Sequence, residues 1–179
     1  MKENELNLIN YAILSKLNKE IKELKKLYQA TIDGDRACDF HRKCDKIPNT
    51  LVLVKSAGNR RFGGFTTKTW DFYNTSYFEK EDKNAFLFSL DKNKIYFCKN
   101  GRYAIKCDPN EGPCFIYGFT LGDNSIKEKA LYTYESYSNS NSNSASYDFD
   151  GDNNALSEID KNSGSIYATE YEVFQVIFK

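Results

Sequence analysis

The spacing of apolar residues changes near residue 50, and that change constrains the fold more than any other feature of the chain. Upstream, Leu6, Ile9, Ile13, Leu17, Ile21, Leu24 and Tyr28 recur at steps of three and four, which predicts an amphipathic helix over residues 5–29. Six steps cover 22 residues, a repeat of about 3.67, nearer a straight helix than a left-handed coiled coil, so docking on the chain's own body is expected. Its polar face carries Lys16, Lys19, Lys22, Lys25 and Lys26, relieved by Glu20 and Glu23, and reads as a solvated face with partner binding or self-association through this helix as the other option. Asp33-Gly34-Asp35 breaks the helix and can cap a short one over 36–44.

Downstream the runs are short, β-branched or aromatic, and bounded by Gly, Asn and Asp. Strands are expected at 50–56 and 61–67, paired as a hairpin across Ala57-Gly58-Asn59-Arg60, and further at 85–90, 94–98, 102–107, 113–120, 130–137 and 165–178. Asn100-Gly101 between two alternating runs predicts a two-residue type I′ turn, which would set Cys98 opposite Tyr103 and Tyr96 opposite Ile105 on a core-facing side. The polar tract 135–165 reads as a long surface loop, too poor in apolar residues to order itself. Within it, Asp148, Asp150, Asp152 and Glu158 resemble calcium ligands, but Asn153 and Ile159 stand where an EF-hand loop needs its glycine and final glutamate.

Charge and targeting signals narrow the function classes. Lysine plus arginine and aspartate plus glutamate are 25 each, so the molecule as a whole has no excess charge for nucleic acid or an anionic membrane. No apolar run approaches the ~20 residues of a bilayer span and the N-terminus lacks a secretory pattern, so a cytoplasmic protein without membrane insertion is expected. Five cysteines without regular spacing read as reduced, mostly core, thiols.

Two motifs suggest chemistry and fail, one on geometry and one on residue type. In Cys38-Asp-Phe-His-Arg-Lys-Cys44 the possible ligands spiral by about 60° per step of three on a helix and do not converge on one metal, and no second Cys-x-x-Cys pair exists. The expected arrangement turns Ala37, Phe40 and Cys44 inward and His41 and Arg42 outward, with His41→Ala costing little stability. Gly58 to Phe65 has the glycine spacing of a phosphate loop, but Gly64 and Phe65 occupy the lysine and hydroxyl positions; Gly63 and Gly64 instead suit a bulge or close packing. A lone histidine and cysteines outside any nucleophile motif give no catalytic, cofactor or metal site.

Leu27-Tyr28, Gly34, Lys43-Cys44 and Pro48, Thr50, Leu51, followed by Phe62-Gly63-Gly64-Phe65 with Trp70, Asn84 to Leu90, Gly112-Pro113 and Glu170 to Phe174, resemble in order and spacing the TLDc domain family across residues 27–178. One glycine, Gly118, remains where many members carry a glycine-rich run, and the Ser/Asn tract is similar to those of protozoan-type members. The resemblance implies an α+β, mainly β fold, an antiparallel β-sandwich flanked by short helices, with residues 1–29 as an N-terminal helix and 30–179 as the domain. It further implies a non-catalytic interaction module without cofactor, tied to oxidative-stress protection or to a subunit of the V-type ATPase. Arg60, Arg61 and Lys68 are the candidate partner-binding residues, and reversing Arg60 and Arg61 together should weaken binding without unfolding the domain. The alternative is a ligand-binding, for example carbohydrate-binding, or hydrolytic sandwich with Tyr132, Tyr134 and Tyr137 as a stacking platform, although those tyrosines read better as core.

Overall fold

The computed structural model describes residues 1–72, 77–99, 102–135, 145–156 and 165–179. Among the described residues, helices α1 (Glu3–Leu17), α2 (Ala30–Asp33) and α3 (Ala37–Cys44) accompany eleven strands. These are β1 (Ile21–Gln29), β2 (Thr50–Ser56), β3 (Arg61–Thr66), β4 (Phe78–Glu81), β5 (Phe86–Ser89), β6 (Lys94–Phe97), β7 (Tyr103–Cys107), β8 (Glu111–Phe115), β9 (Phe119–Gly122), β10 (Leu131–Thr133) and β11 (Ala168–Phe178). They form two sheets, β1-β11-β2-β3-β5-β6 and β10-β9-β8-β7-β4, with every pairing antiparallel.

The period-two alternation of the central strands sorts their side chains between two cores. Val52, Val54, Phe62, Leu87, Tyr171 and Val173 meet Ile105, Phe115, Phe119 and Leu121 between the sheets. Their sequence neighbours Leu51, Phe65, Phe86, Phe88 and Val176 point to the other face of the larger sheet, where Ile9, Ala12 and Ile13 of α1 cover them. The helix thus docks on the body of the domain.

The helix is shorter than residues 5–29. Asn18 takes a left-handed conformation (φ 52°) and its N–H closes the helix on Leu14 O, after which the chain enters β1. Ile21 and Leu24 keep a three-residue spacing because a register shift between Ile21 and Glu23 inserts an extra residue, so both pack on the α1 side. A second shift between Lys26 and Tyr28 moves Tyr28 into the inter-sheet core. Two bulges therefore mimic a helical repeat.

The β2–β3 hairpin forms as expected, with Leu53 opposite Gly63 and Val52 opposite Gly64. Both glycines serve close packing: a Cβ at Gly63 would lie 1.9 Å from Val52 O, and one at Gly64 2.6 Å from Phe115 Cζ. The predicted hairpin across Asn100-Gly101 is absent, since β6 and β7 belong to different sheets. Those two residues lie outside the described set; strand β6 instead turns back on β5 through Asp91-Lys92-Asn93, with Asn93 at φ 52°, while β7 gains two neighbours, β8 and β4. Residues 113–120 divide into β8 and β9, with Tyr117 at φ 56° in the turn.

The polar tract is not uniformly a surface loop. Ala145, Tyr147, Phe149, Ala155 and Leu156 are buried, and the Tyr147 hydroxyl donates to Ala104 O at 2.7 Å. Each apolar residue separated by one or a few polar ones finds a pocket, which composition averaged over the tract conceals. Both carboxylate oxygens of Asp152 accept from Lys92 Nζ at 2.7 Å, while Glu158 and Ile159 lie outside the described residues.

Candidate functional site

Arg60, Arg61 and Lys68 do not form one patch. Arg61 opens β3, while Lys68 follows its far end, about 20 Å away at ~3.3 Å per residue. The Arg61 guanidinium grips both oxygens of Glu5 on α1, Nη2 at 3.0 Å from Oε2, and the Arg61 backbone N–H donates to Asp91 Oδ2 at 2.6 Å. The hydrogen bond from Arg61 holds the Glu5 carboxyl below its usual range, and Glu5 in turn raises Arg61. Arg61 is a clamp between helix and sheet. Lys68 lines a depression of about 500 Å³ with Thr67, Glu81, Asp82, Lys83, Asn84 and Arg102.

His41 is also placed differently from the expectation: it is 8 % exposed and faces the body of the domain. Nδ1 lies 2.7 Å from Asp45 Oδ1, and Nε2 lies 2.9 and 3.0 Å from the carbonyls of Asp108 and Glu111. All three partners are acceptors, an arrangement that favours the doubly protonated ring, with a proton on each nitrogen. Burial opposes that charge, but Asp45 and the two carbonyls outweigh it and raise the pKa. The ring packs edge-on against Phe40 and Phe72, with centroids 5.0 Å away in each case. One cation thereby ties α3 to the β7–β8 turn, which a helical wheel could not reveal because its partners are 67 and 70 residues downstream.

Four thiols, Cys44, Cys98, Cys107 and Cys114, are buried, and Cys38 is exposed. Burial pushes Cys98 and Cys114 up to about 12 and Cys107 up to about 11, and raises Cys44 further, so these four are protonated and unreactive at neutral pH.

An organised surface lies on the outer face of the five-stranded sheet. Registry aligns Tyr132 with Thr120, Thr120 with Cys114, Cys114 with Lys106, and Lys106 with Glu79, one residue from each strand in a single transverse row. Among the described residues no helix covers this row, whereas α1 closes the corresponding face of the larger sheet. Tyr132 is 38 % exposed and Tyr134 borders the same face, so the tyrosine side of β10 points outward and Leu131 inward, the reverse of the expected arrangement. The reason lies in the fold: β10 has the core on one side only, and the buried Leu131 takes it. Tyr137 lies outside the described residues.

Along the row, Cys114 Sγ and Thr120 Oγ1 are 3.0 Å apart, and Lys106 Nζ reaches Glu111 Oε2 at 2.7 Å and lies 5.8 Å from the Tyr77 ring centre. Burial works against the Lys106 charge, yet Glu111 and Asp108 raise its pKa and keep the ammonium. A depression of about 260 Å³ lies over Lys106, Cys114, Ile116, Tyr117, Thr120 and Tyr134. The face offers aromatic edges, one held cation and hydroxyls around a buried thiol.

The geometry defines a two-sheet antiparallel sandwich with one outer face roofed by its own N-terminal helix and the other without a covering helix among the described residues. A family model for the TLDc domain matches residues 1–177, and the chain belongs to that family. The match begins at residue 1, so it includes α1 and β1. A search of curated proteins returns no match. Among the described residues no helix is long and apolar enough to cross a membrane, and no group of three or more His, Cys, Asp or Glu is placed to hold a metal ion.

Proposed function

We propose that this TLDc domain is a non-catalytic interaction module that binds a protein partner on the open face of its five-stranded sheet. The observation that carries the reading is the row from Tyr132 to Glu79, which crosses all five strands without a covering helix among the described residues; Thr120 and Cys114 are buried at its centre, and the exposed aromatics Tyr132, Tyr77 and Tyr103 lie around them. The commitment of His41 and the four buried thiols to structure also supports binding over chemistry. Family membership supports the finer assignment: action in the cytoplasm, in oxidative-stress protection or in binding and regulating the V-type ATPase through one of its subunits.

The test is affinity capture from the native organism with the wild-type chain and with Tyr77→Ala/Tyr132→Ala, followed by pump activity and peroxide survival of complemented cells. Loss of one shared partner and of complementation at unchanged melting temperature is the expected result. Full complementation by the folded double variant would overturn the reading. A second reading, a saccharide-binding sheet face, draws on the exposed Tyr132 beside Tyr134 and Thr120. Saturable quenching of tyrosine fluorescence by an oligosaccharide, abolished in Tyr132→Ala, would favour it.

A further inference from the structure

Strand β1 forms an edge of the six-stranded sheet and among the described residues is paired only with β11. Two backbone bonds determine which of its groups face outward. Val176 N–H donates to Asn49 O on the β2 side, at 2.7 Å, whereas Lys179 N–H donates to Glu20 O on the β1 side, at 3.0 Å. Backbone direction alternates along a strand, so Gln175 and Ile177 bond to their partners Lys25 and Glu23. Leu24 and Lys26 therefore aim their N–H and C=O groups away from the sheet, and no described protein group bonds them.

Both ends of this edge are closed by side chains. Asn10 Oδ1 accepts from Ile21 N–H at 2.8 Å, and Asp33 Oδ2 accepts from Gln29 N–H at 2.9 Å. Between the two plugs lies an open stretch centred on Lys22 to Lys26, long enough for about five residues of added strand at ~3.3 Å each.

Its charge selects what can enter. Glu20 is taken by Lys179 and Glu172 by Lys26, while Lys22 and Lys25 are exposed, hold no ion pair among the described residues and outnumber the one exposed carboxylate between them, Glu23. Lysines on an edge strand repel a second copy of the same edge. They attract a strand that brings carboxylates.

We propose that the free edge of β1 docks an extended acidic segment of a partner protein as a seventh strand. The segment's backbone bonds the outward N–H and C=O groups of Leu24 and Lys26, and its carboxylates lie beside Lys22 and Lys25. This rests on the interaction-module reading only in taking the partner to be a protein, and it uses a surface other than the five-stranded face.

The test titrates the full ¹⁵N-labelled chain with an acetylated peptide of alternating Glu and Val, read by amide shifts and amide exchange. The Leu24 and Lys26 amides should exchange fast in the free protein and slow on binding, while those of Glu23 and Lys25, already bonded to β11, should change little. Lys22→Glu/Lys25→Glu should weaken binding at least about fivefold, and the same peptide with every amide N-methylated should not bind. No saturable binding at millimolar peptide, or equal binding by the N-methylated peptide, overturns the proposal. So does concentration-dependent protection of Leu24 and Lys26 without peptide, which would assign the edge to a second copy. Capture by the Tyr77/Tyr132 face is scored in a separate assay, so either claim can fail alone.

Discussion

Substituting His41 by alanine removes a buried cation with three acceptors around it. A hydrogen bond to a charged group contributes about 1.5–3 kcal/mol, and the carbonyls of Asp108 and Glu111 lose their shared donor as well. Edge contacts with Phe40 and Phe72 vanish too. Asp45, partly exposed, can rehydrate, which limits the penalty. The expected total is about 2–4 kcal/mol near pH 6, larger than a solvent-facing histidine would give. Because the folded pKa is raised above its ordinary value, the charged clasp contributes fully below about pH 6.5 and fades as pH rises through the folded value. Urea unfolding of wild type and His41→Ala at pH 5.5, 7 and 9 should show a stability gap that narrows with increasing pH. A gap under about 0.5 kcal/mol, within the range of an ordinary surface substitution, or one that widens with pH, would refute the imidazolium assignment.

Three further outcomes follow from particular contacts. Arg61→Glu should detach α1 from the sheet, and Glu5→Ala should cost about 1–3 kcal/mol, as read by denaturant unfolding; because Glu5's pKa is lowered, the wild-type advantage over Glu5→Ala should hold above the ordinary carboxylate range and disappear as pH falls through the folded value. Gly63→Ala should destabilise by about 3 kcal/mol or more, since its methyl group would overlap Val52 O and the β2–β3 pair would have to part; a near-native melt contradicts this. Brief iodoacetamide treatment of native protein at pH 7 should alkylate Cys38 alone, and mass spectrometry finding Cys114 modified to the same extent would show that its thiol is accessible.

The parts of the fold legible in the sequence are those set by local pattern: the mainly β body, the β2–β3 hairpin, the inward Phe40 and Cys44, and the docking of the N-terminal helix. Misread parts depend on partners distant in sequence. Ile21, Leu24 and Tyr28 carry a helical spacing because bulges in an edge strand insert residues, and only the pairing with β11 exposes this. Asn100-Gly101 is a strong turn signal, yet the competing turn at Asn93 and the two neighbours offered to β7 send the flanking strands to different sheets. His41 and Arg61 look like free polar groups until Asp108, Glu111 and Glu5 are brought to them. The open row from Tyr132 to Glu79 has no linear motif at all, since it takes one residue from each of five strands. Alternation in Leu131-Tyr132-Thr133-Tyr134 exposes two possible faces, and only burial decides between them.

Amide hydrogen exchange on the domain, free and bound to the partner that it captures, tests the interaction-surface account most directly. Slowed exchange should concentrate in β7 to β10 and in the turn around Tyr117, with α1 unchanged because it is already packed on the other sheet. Protection confined to α1 or to the Arg60–Arg61 turn, with the five-stranded sheet unaffected, would contradict the assignment of the open face as the binding surface.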